Sequence, residues 1–242
     1  MGSSNKVLDV AIAWGAIGVL ALAFVGKAAG ITLPPLGALA LWLVLAFGGA
    51  VVLARGEALA LLGLTRFDAR GVGVALAGSL LMLAGLAIGS ETGPHVDLAA
   101  LWDAALRPGV VEELLFRGLA FGVLFWRAGW SFPAAMLSTG IVFGAFHIPG
   151  AVANGTLDEA WGVMAITAAG GCWFAWLYAR WRSLWVPIAA HVAMNAWWVL
   201  YTAGPHAASG GSGALWGRVA AIVAITLATG KLTDEEPSDP VG

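Results

Sequence analysis

The chain has 242 residues, of which 60% are hydrophobic and 11% are charged, and its formal net charge is −2. Because a soluble globular domain typically carries about 25% charged residues, this composition excludes an ordinary soluble enzyme and a disordered chain. The net charge provides no basic surface for a phosphate backbone, so nucleic acid is excluded as a partner. The single cysteine, Cys172, excludes an intramolecular disulfide framework and a cysteine-based metal cluster.

Apolar runs of about 20 residues, the length that crosses a bilayer, predict the elements in chain order. Three spans are expected at 7–26, 36–53 and 72–88. Residues 91–107 mix acidic and apolar side chains and predict an amphipathic helix lying at the membrane interface. Five further spans are predicted at 108–126, 132–148, 160–178, 184–201 and 214–229. The chain is therefore expected to be an all-α, polytopic membrane helical bundle with about eight transmembrane helices.

Two prolines mark expected boundaries of spans, one at a start and one at an end. Pro108 is placed in the first turn of the fourth span, where its missing N–H costs nothing. Pro149 is expected to end the fifth span. We predict one membrane domain made of N-terminal helices with the interfacial helix (1–107), a helical core that carries the polar groups (108–230), and a polar tail (231–242).

Pairs of glycines spaced four residues apart lie in the fourth and fifth spans. They are Gly118 with Gly122 and Gly140 with Gly144. Each pair puts small residues on one helical face, which favours close packing against a neighbouring helix.

A few ionisable or strongly polar side chains interrupt the apolar spans. Since a charged group at the bilayer centre costs at least ~2.5–3.5 kcal/mol on insertion scales, each one needs a partner, a water-filled cavity or a function. The fourth span carries Glu112, Glu113 and Arg117. The fifth carries His147 at its end, and the seventh carries His191 and Asn195.

The two adjacent glutamates are expected to differ. Glu113 and Arg117 are four residues apart on one helical face and favour an internal ion pair that neutralises both. Glu112 points about 100° away, since a helix has 3.6 residues per turn, and its neighbour four residues on is Phe116. A buried carboxyl group without a fixed cation suits a general base or acid.

The polar groups of three spans are expected to meet. Glu112 begins the fourth span and His147 ends the antiparallel fifth, so both lie at the same end of the bundle. His191 and Asn195 share one face of the seventh span, and in isolation they are equally consistent with a hydrogen bond between helices. A base, two imidazoles and an amide can activate water and stabilise an oxyanion, which predicts hydrolysis.

Three short motifs in order resemble a known family. The segments EELLFRG (112–118), FGAFH (143–147) and HVAMN (191–195) are similar to the signature motifs of the CPBP family, the CAAX-protease and bacteriocin-processing (Abi) intramembrane proteases, which are Rce1-like. The run SLWVP (183–187), which enters the last motif, is also typical of it. The resemblance covers about 110–198.

The resemblance implies a glutamate-dependent intramembrane endopeptidase. By analogy Glu112 and His147 hold and activate the attacking water, while His191 and Asn195 stabilise the oxyanion. Glu113 and Arg117 match the family's second Glu and Arg and are assigned to orienting the site. The metal dependence of such enzymes is disputed; zinc is a candidate cofactor, with Glu112, His147 and His191 as candidate ligands. The implied partners are a membrane-associated or lipidated peptide or protein substrate and the lipid bilayer of a bacterial plasma membrane.

Two other classes remain as alternatives. Many bacterial members of the family are known as self-immunity or accessory membrane proteins, so the chain is also consistent with a protein that binds a peptide without cutting it. A proton-coupled transporter is less consistent, because the polar groups cluster at one end of the bundle.

The basic residues predict an orientation with the N-terminus inside. Lys6 and Arg127 then lie in inner segments, while Lys27 lies in an outer one. This orientation puts Glu112 and His147 toward the outer face, whereas CAAX-type processing takes place on the cytosolic side. The sequence leaves open which membrane face the site meets.

Overall fold

The computed structural model describes residues 5–28, 30–90, 93–155, 157–202 and 211–233, and every regular element in those ranges is a helix. The predicted all-α fold is confirmed. The predicted polar tail lies outside the described residues from 234 on. The helices are α1 (Lys6–Ala28), α2 (Pro35–Ala54), α3 (Ala69–Gly89), α4 (98–127), α5 (Phe132–Ala145), α6 (Ile148–Asn154), α7 (Leu157–Trp181), α8 (Trp185–Thr202) and α9 (Gly211–Leu232), with two short helical turns, Arg55–Glu57 and Ala58–Leu61, between α2 and α3.

Six helical segments in the described part of the chain are long and apolar enough to cross a membrane, which makes this an integral membrane protein. They are α1, α2, α3, the segment Phe132–Ala153, the segment Glu159–Trp181 and the segment Gly213–Leu232. The fourth and seventh predicted spans are helical as well, as α4 and α8, but they carry the polar side chains and are not among the six. The predicted count of eight spans is therefore not confirmed.

Helix α4 runs without a break through Pro108, so this proline does not open a new helix. Wider π-type turns occupy Trp102–Leu106, Glu113–Phe121 and Val123–Arg127. The first of these turns lies immediately before Pro108, and the Arg107 N–H there donates to the Trp102 carbonyl five residues back. A wider turn accommodates a residue that lacks the backbone donor. Residues 98–107 of the predicted interfacial helix are thus continuous with the fourth span in one helical segment.

Helix α5 ends before Pro149, inside the segment Phe132–Ala153. Helix α5 stops at Ala145, a turn follows at Phe146 and His147, and α6 begins at Ile148 with Pro149 in its first turn. Since a proline in the first turn removes no helical hydrogen bond, Pro149 begins a helix here, and the prediction that it ends the span is wrong. His147 consequently lies between two helices.

Glycines bring α5 and α7 into close contact. A Cβ atom added at Gly140 would meet Cys172 Sγ and the Ala168 carbonyl, and one added at Gly144 would meet the Met164 carbonyl. Gly118 similarly approaches Leu184 and Leu62, where an added Cβ would lie 3.2 Å from each side chain. The predicted close helix packing is confirmed at these positions.

Helix α4 lies at the centre of the bundle. Every residue from Glu113 to Phe125 is buried, and Leu115, Leu119 and Leu124 have no exposed surface. Such a helix cannot point its charged side chains toward lipid or bulk water, so they must be satisfied by neighbouring helices.

Candidate active site

A buried cluster of ionisable groups joins α4 to α8. Glu113 Oε1 accepts a hydrogen bond from Arg117 Nη1 at 2.9 Å and lies 2.7 Å from His191 Nδ1. The side chains of Glu113, Arg117 and His191 are 0%, 2% and 9% exposed. The Glu113–Arg117 ion pair follows from their spacing on one helical face. The contact between His191 on α8 and Glu113 on α4 depends on how the two helices pack, and it connects both helices through one carboxylate.

Two aromatic rings enclose the guanidinium of Arg117. Its Cζ atom lies 4.2 Å from the ring centroid of Phe143 on α5 and 5.2 Å from that of Phe174 on α7. Phe174 also stacks on the His191 imidazole, with centroids 4.9 Å apart and planes 17° apart. Cation–π contacts stabilise a charge that has little access to water. The cluster is thus held from four helices.

Glu112 has a different environment from its neighbour. Its side chain is 18% exposed, and Oε2 lies 3.9 Å from His191 Nε2. That distance is too long for a hydrogen bond. Unlike Glu113, the Glu112 carboxylate lines a cavity, and it is therefore the acidic group of the pair that a ligand can reach.

His147 lies in the turn between α5 and α6 and lines the same cavity. Its Nδ1 is 2.9 Å from the Phe143 carbonyl oxygen. Because a carbonyl oxygen only accepts hydrogen bonds, Nδ1 carries the proton, and in the neutral ring Nε2 has a free lone pair. The Phe143 ring, 4.8 Å away between centroids, supports the imidazole from one side. His147 can therefore accept a proton or hold a water molecule through Nε2.

The cavity has a volume of about 690 Å³, within the ~300–1,000 Å³ typical of ligand pockets. Its walls are mainly apolar, and its ionisable lining residues are Lys27, Glu112 and His147. Five aromatic side chains contribute to the wall: Phe24, Trp42, Phe116, Phe143 and Phe146. This lining suits an apolar ligand with polar groups at defined points.

Asn195 lies one helical turn after His191 on α8 and is half-buried. Neither Asn195 nor His191 lines the cavity. The structure thus brings Glu112 and His147 to one cavity and places His191 directly behind Glu112. Asn195 is next to His191 on one helical face, but its side-chain amide makes no hydrogen bond to any part of the chain that the structure describes.

The candidate metal ligands do not converge. Glu112, His147 and His191 all belong to the described residues, and these contain no group of three or more His, Cys, Asp or Glu side chains arranged to hold a metal ion. His191 Nδ1 is committed to Glu113.

Some features of the site have no signal in the sequence. Phe174 is one of many aromatic residues in an apolar helix, and nothing in its spacing distinguishes it from a core residue. Lys27 ends the first apolar run, as an interfacial lysine commonly does. For His191 and Asn195 the sequence allows a hydrogen bond between helices as one of two interpretations. It does not identify Glu113 as the partner of His191.

Comparison with known proteins agrees with the motifs. Residues 94–197 match the family model described as "Type II CAAX prenyl endopeptidase Rce1-like". Over 91 residues the chain is 34% identical to the Bacillus subtilis (strain 168) protein named "Putative membrane peptidase YdiL". That alignment covers 38% of this chain and 32% of the relative, so the chain matches about a third of the length of this curated protein. No solved structure matches the chain.

The predicted resemblance is confirmed for the segment 94–197. All six candidate site residues fall inside it, whereas α1, α2, α3 and α9 fall outside it. In this segment the chain is similar to the Rce1-like prenyl endopeptidases.

Proposed function

We propose that this protein is an intramembrane glutamate-dependent endopeptidase of the CAAX-protease type. The observation that carries the proposal is that Glu112 and His147, from two different helices, line one apolar cavity. The similarity to a family of prenyl endopeptidases supports the same reaction class. The substrate is a membrane-associated or lipidated peptide or protein, which the apolar walls favour. The site of action is the bacterial plasma membrane, in keeping with the bacterial relative named as a membrane peptidase.

In the proposed reaction Glu112 is the general base. A water molecule between the Glu112 carboxylate and His147 Nε2 loses a proton to Glu112 as its oxygen bonds to the carbonyl carbon of the substrate. The carbonyl electron pair moves to oxygen and forms an oxyanion. Glu112 then returns the proton to the amide nitrogen as the C–N bond breaks, which leaves a new carboxyl group and a free amine.

Glu113, Arg117 and Phe174 are positioning residues. They fix the His191 ring through the 2.7 Å contact at Nδ1 and the stacked aromatic face. The ring nitrogen that remains, Nε2, points toward Glu112. By analogy with the family we assign His191 and Asn195 to the oxyanion, because donors aimed at developing charge stabilise the transition state. Since Nδ1–H of His191 donates to Glu113, its Nε2 donates to the oxyanion in the form of the ring that carries both protons.

The first prediction separates catalysis from binding. Asn195 can donate a hydrogen bond but cannot act as a base, and removing one oxyanion donor typically costs ~10²–10³-fold in turnover. Asn195→Ala is expected to bind a substrate peptide nearly as well as the parent and to cleave it far more slowly. Peptide affinity and cleavage rate are measured in parallel on the purified protein in detergent or vesicles.

The control is Asn5→Ala, which changes the same residue type at a position where Oδ1 accepts from the Leu8 N–H, at the start of α1. It should leave both quantities unchanged. A parent that binds peptides but cleaves none, with binding that collapses in Asn195→Ala, would favour the non-catalytic immunity or accessory protein instead.

A further inference from the structure

A second cavity lies at the end of α4 that is farther from Glu112. It has a volume of about 320 Å³, at the lower end of the ~300–1,000 Å³ typical of ligand pockets. Three parts of the chain form its wall: the turns that follow α2, the end of α4 and the end of α7. None of the proposed catalytic residues lines it, so the proposed hydrolysis gives this cavity no role.

The second cavity lies at the boundary of the membrane-spanning segments. Ala54, which lines it, is the last residue of the segment Pro35–Ala54. Tyr178 lines it from the last turn of the segment Glu159–Trp181, and Arg182 lines it from just beyond that segment. Since the ends of spans meet the headgroups of the bilayer, a phospholipid headgroup can reach this cavity.

A buried hydroxyl group without a partner belongs to the wall. Tyr178 is 1% exposed, and its hydroxyl makes no hydrogen bond to any residue that the structure describes. The ring is held edge-on by Trp126, with centroids 4.8 Å apart, and its hydroxyl end lies against Gly63, where an added Cβ would collide with Oη. Trp126 and Gly63 line the same cavity. Because a buried tyrosine hydroxyl usually has a hydrogen-bond partner, we expect a water molecule or a ligand in the cavity to supply one.

The charged lining residues favour an anionic ligand. Arg127 and Arg182 both line the cavity. Arg127 is fixed in place because its Nε and Nη2 donate to Asp9 Oδ1 at 3.3 and 3.2 Å. Glu57, the carboxylate of the lining, is exposed, so water screens its charge. Guanidinium and hydroxyl groups are donors that suit phosphate oxygens.

The backbone at Arg182 is unusual for an arginine. Its φ of 48° makes it the one non-glycine residue with a left-handed backbone in the described part of the chain. Glycine is the usual residue in this conformation after a helix, and a side chain there strains the backbone. The end of α7 would be less strained with glycine, so the helix end alone does not account for an arginine at this position.

Two simpler roles fit some of these features. A water molecule in the cavity satisfies the Tyr178 hydroxyl, and this role predicts that removing the hydroxyl changes the affinity for no ligand. An arginine at a membrane boundary attracts anionic lipids through its charge wherever it lies. That role predicts the same effect for Arg182 as for any exposed arginine nearby.

We propose that the second cavity binds the phosphate group of a membrane phospholipid through Tyr178 and Arg182. The Tyr178 hydroxyl donates a hydrogen bond to a phosphate oxygen, and the Arg182 guanidinium pairs with the negative charge. The acyl chains stay in the bilayer. A lipid held in this way connects the turns after α2 with the ends of α4 and α7. The inference does not depend on the proposed endopeptidase function.

The test measures the binding of short-chain lipids to the purified full chain in a non-ionic detergent. The probes are dihexanoylphosphatidylglycerol, dihexanoylglycerol, which has the same chains without phosphate, and inorganic phosphate. A ligand that binds the folded protein raises its melting temperature once its concentration exceeds the dissociation constant. We expect the phosphatidylglycerol to raise the melting temperature at concentrations where the other two probes do not.

Tyr178→Phe removes only the hydroxyl. Without lipid this variant should melt as the parent does, because no hydrogen bond within the described chain is lost. Its dissociation constant for the phosphatidylglycerol should be about tenfold higher, the lower end of the range for a hydrogen bond to a charged group. The matched control is Tyr201→Phe, which changes the other tyrosine of the chain, a buried residue that does not line this cavity. It should bind the lipid as the parent does.

Arginine variants separate a site from general attraction. Arg182→Gln should weaken binding of the phosphatidylglycerol. The control is Arg66→Gln, because Arg66 is exposed and does not line the cavity. Its carbonyl accepts a hydrogen bond from Ser183 Oγ at 2.7 Å, which places it close to Arg182. Arg66→Gln should leave the affinity for the lipid unchanged.

Four results would overturn the inference: no binding of the phosphatidylglycerol, equal binding of dihexanoylglycerol, unchanged affinity in Tyr178→Phe, or equal weakening by Arg182→Gln and Arg66→Gln. A Tyr178→Phe protein that melts well below the parent without lipid would also overturn it, because the hydroxyl would then have a partner in the protein. If inorganic phosphate binds as tightly as the lipid and requires Tyr178, the phosphate chemistry of the cavity is supported and a lipid as its source is overturned.

Discussion

Glu112 and Glu113 are consecutive residues with different environments. Glu113 is fully buried and is held by Arg117 and His191, whereas the Glu112 side chain is 18% exposed and lines the cavity. A rotation of about 100° per residue separates their directions. The buried carboxylate can organise the neighbouring side chains, and the one at the cavity can exchange a proton with water. At the residue scale, this difference assigns the two glutamates different roles.

The second prediction concerns the buried pair. Arg117→Ala leaves Glu113 without its guanidinium and removes the contacts with Phe143 and Phe174. Breaking a buried ion pair by removing one partner typically destabilises a protein by ~3–5 kcal/mol. The thermal melting temperature and expression level of Arg117→Ala should both fall well below those of the parent.

The double variant Glu113→Gln with Arg117→Met provides the control. It removes both charges, keeps an apolar chain between the two aromatic rings, and retains an amide oxygen that can accept from His191. Much of the lost stability should return. A double variant no more stable than Arg117→Ala would show that the pairing of charges is not what stabilises this part of the fold.

Helical periodicity predicts contacts between candidate residues of the same helix, but not contacts between helices. The spacing of Glu113 and Arg117 on one face predicts their ion pair directly. The contacts of His191 with Glu113 and Phe174 depend on how α8, α4 and α7 pack, and single-helix periodicity carries no information on that. The same holds for Lys27, whose relation to the cavity depends on the position of α1.

At the scale of elements, close contact between α5 and α7 positions both Phe143 and Phe174 around Arg117. The third prediction is that Gly144→Ala destabilises the protein, because the added methyl group meets the backbone carbonyl of Met164, which cannot move independently of its helix. Overpacking of this kind typically costs ~1–3 kcal/mol. Thermal unfolding of the purified protein measures it.

Gly162→Ala is the matched control on α7, since an added Cβ there meets nothing within 4 Å. Alanine has a higher helix propensity than glycine by about 1 kcal/mol, so this variant should be neutral or slightly more stable. If the two substitutions change stability equally, the close approach of α5 and α7 is not a packing requirement.

The apolar runs predicted where the helices lie, and the prolines predicted their ends less well. Pro108 was placed in the first turn of a new span, and Pro149 was expected to end one, since proline disfavours a helix interior. The wider turn before Pro108 removes that conflict, and Pro149 is in a first turn, where no conflict exists. A wider helical turn has no sequence signature, so the continuity of α4 could not be predicted.

At the scale of the whole molecule the ionisable groups are divided between two ends of the bundle. Lys27 and His147 line the cavity at one end, beside the contact between Phe24 and Phe146. Arg127 pairs with Asp9 near the other end of α1, at 3.2 Å. Under the proposed function, a substrate is therefore expected to reach Glu112 and His147 from the membrane face at the C-terminal end of α1. The apolar composition predicted the membrane class, and the antiparallel order of the spans predicted that Glu112 and His147 lie at the same end of the bundle.

The most direct test of the proposed function is the cleavage rate of a peptide substrate by the parent and by Glu112→Gln. The amide keeps the shape of the side chain and loses the base, so the account predicts an unchanged melting temperature and a rate lower by at least the ~10²–10⁴-fold typical of general-base removal. Glu57→Gln, an exposed glutamate away from this cavity, should retain the parent rate. Cleavage by Glu112→Gln at the rate of the parent would contradict the assignment of Glu112 as the catalytic base.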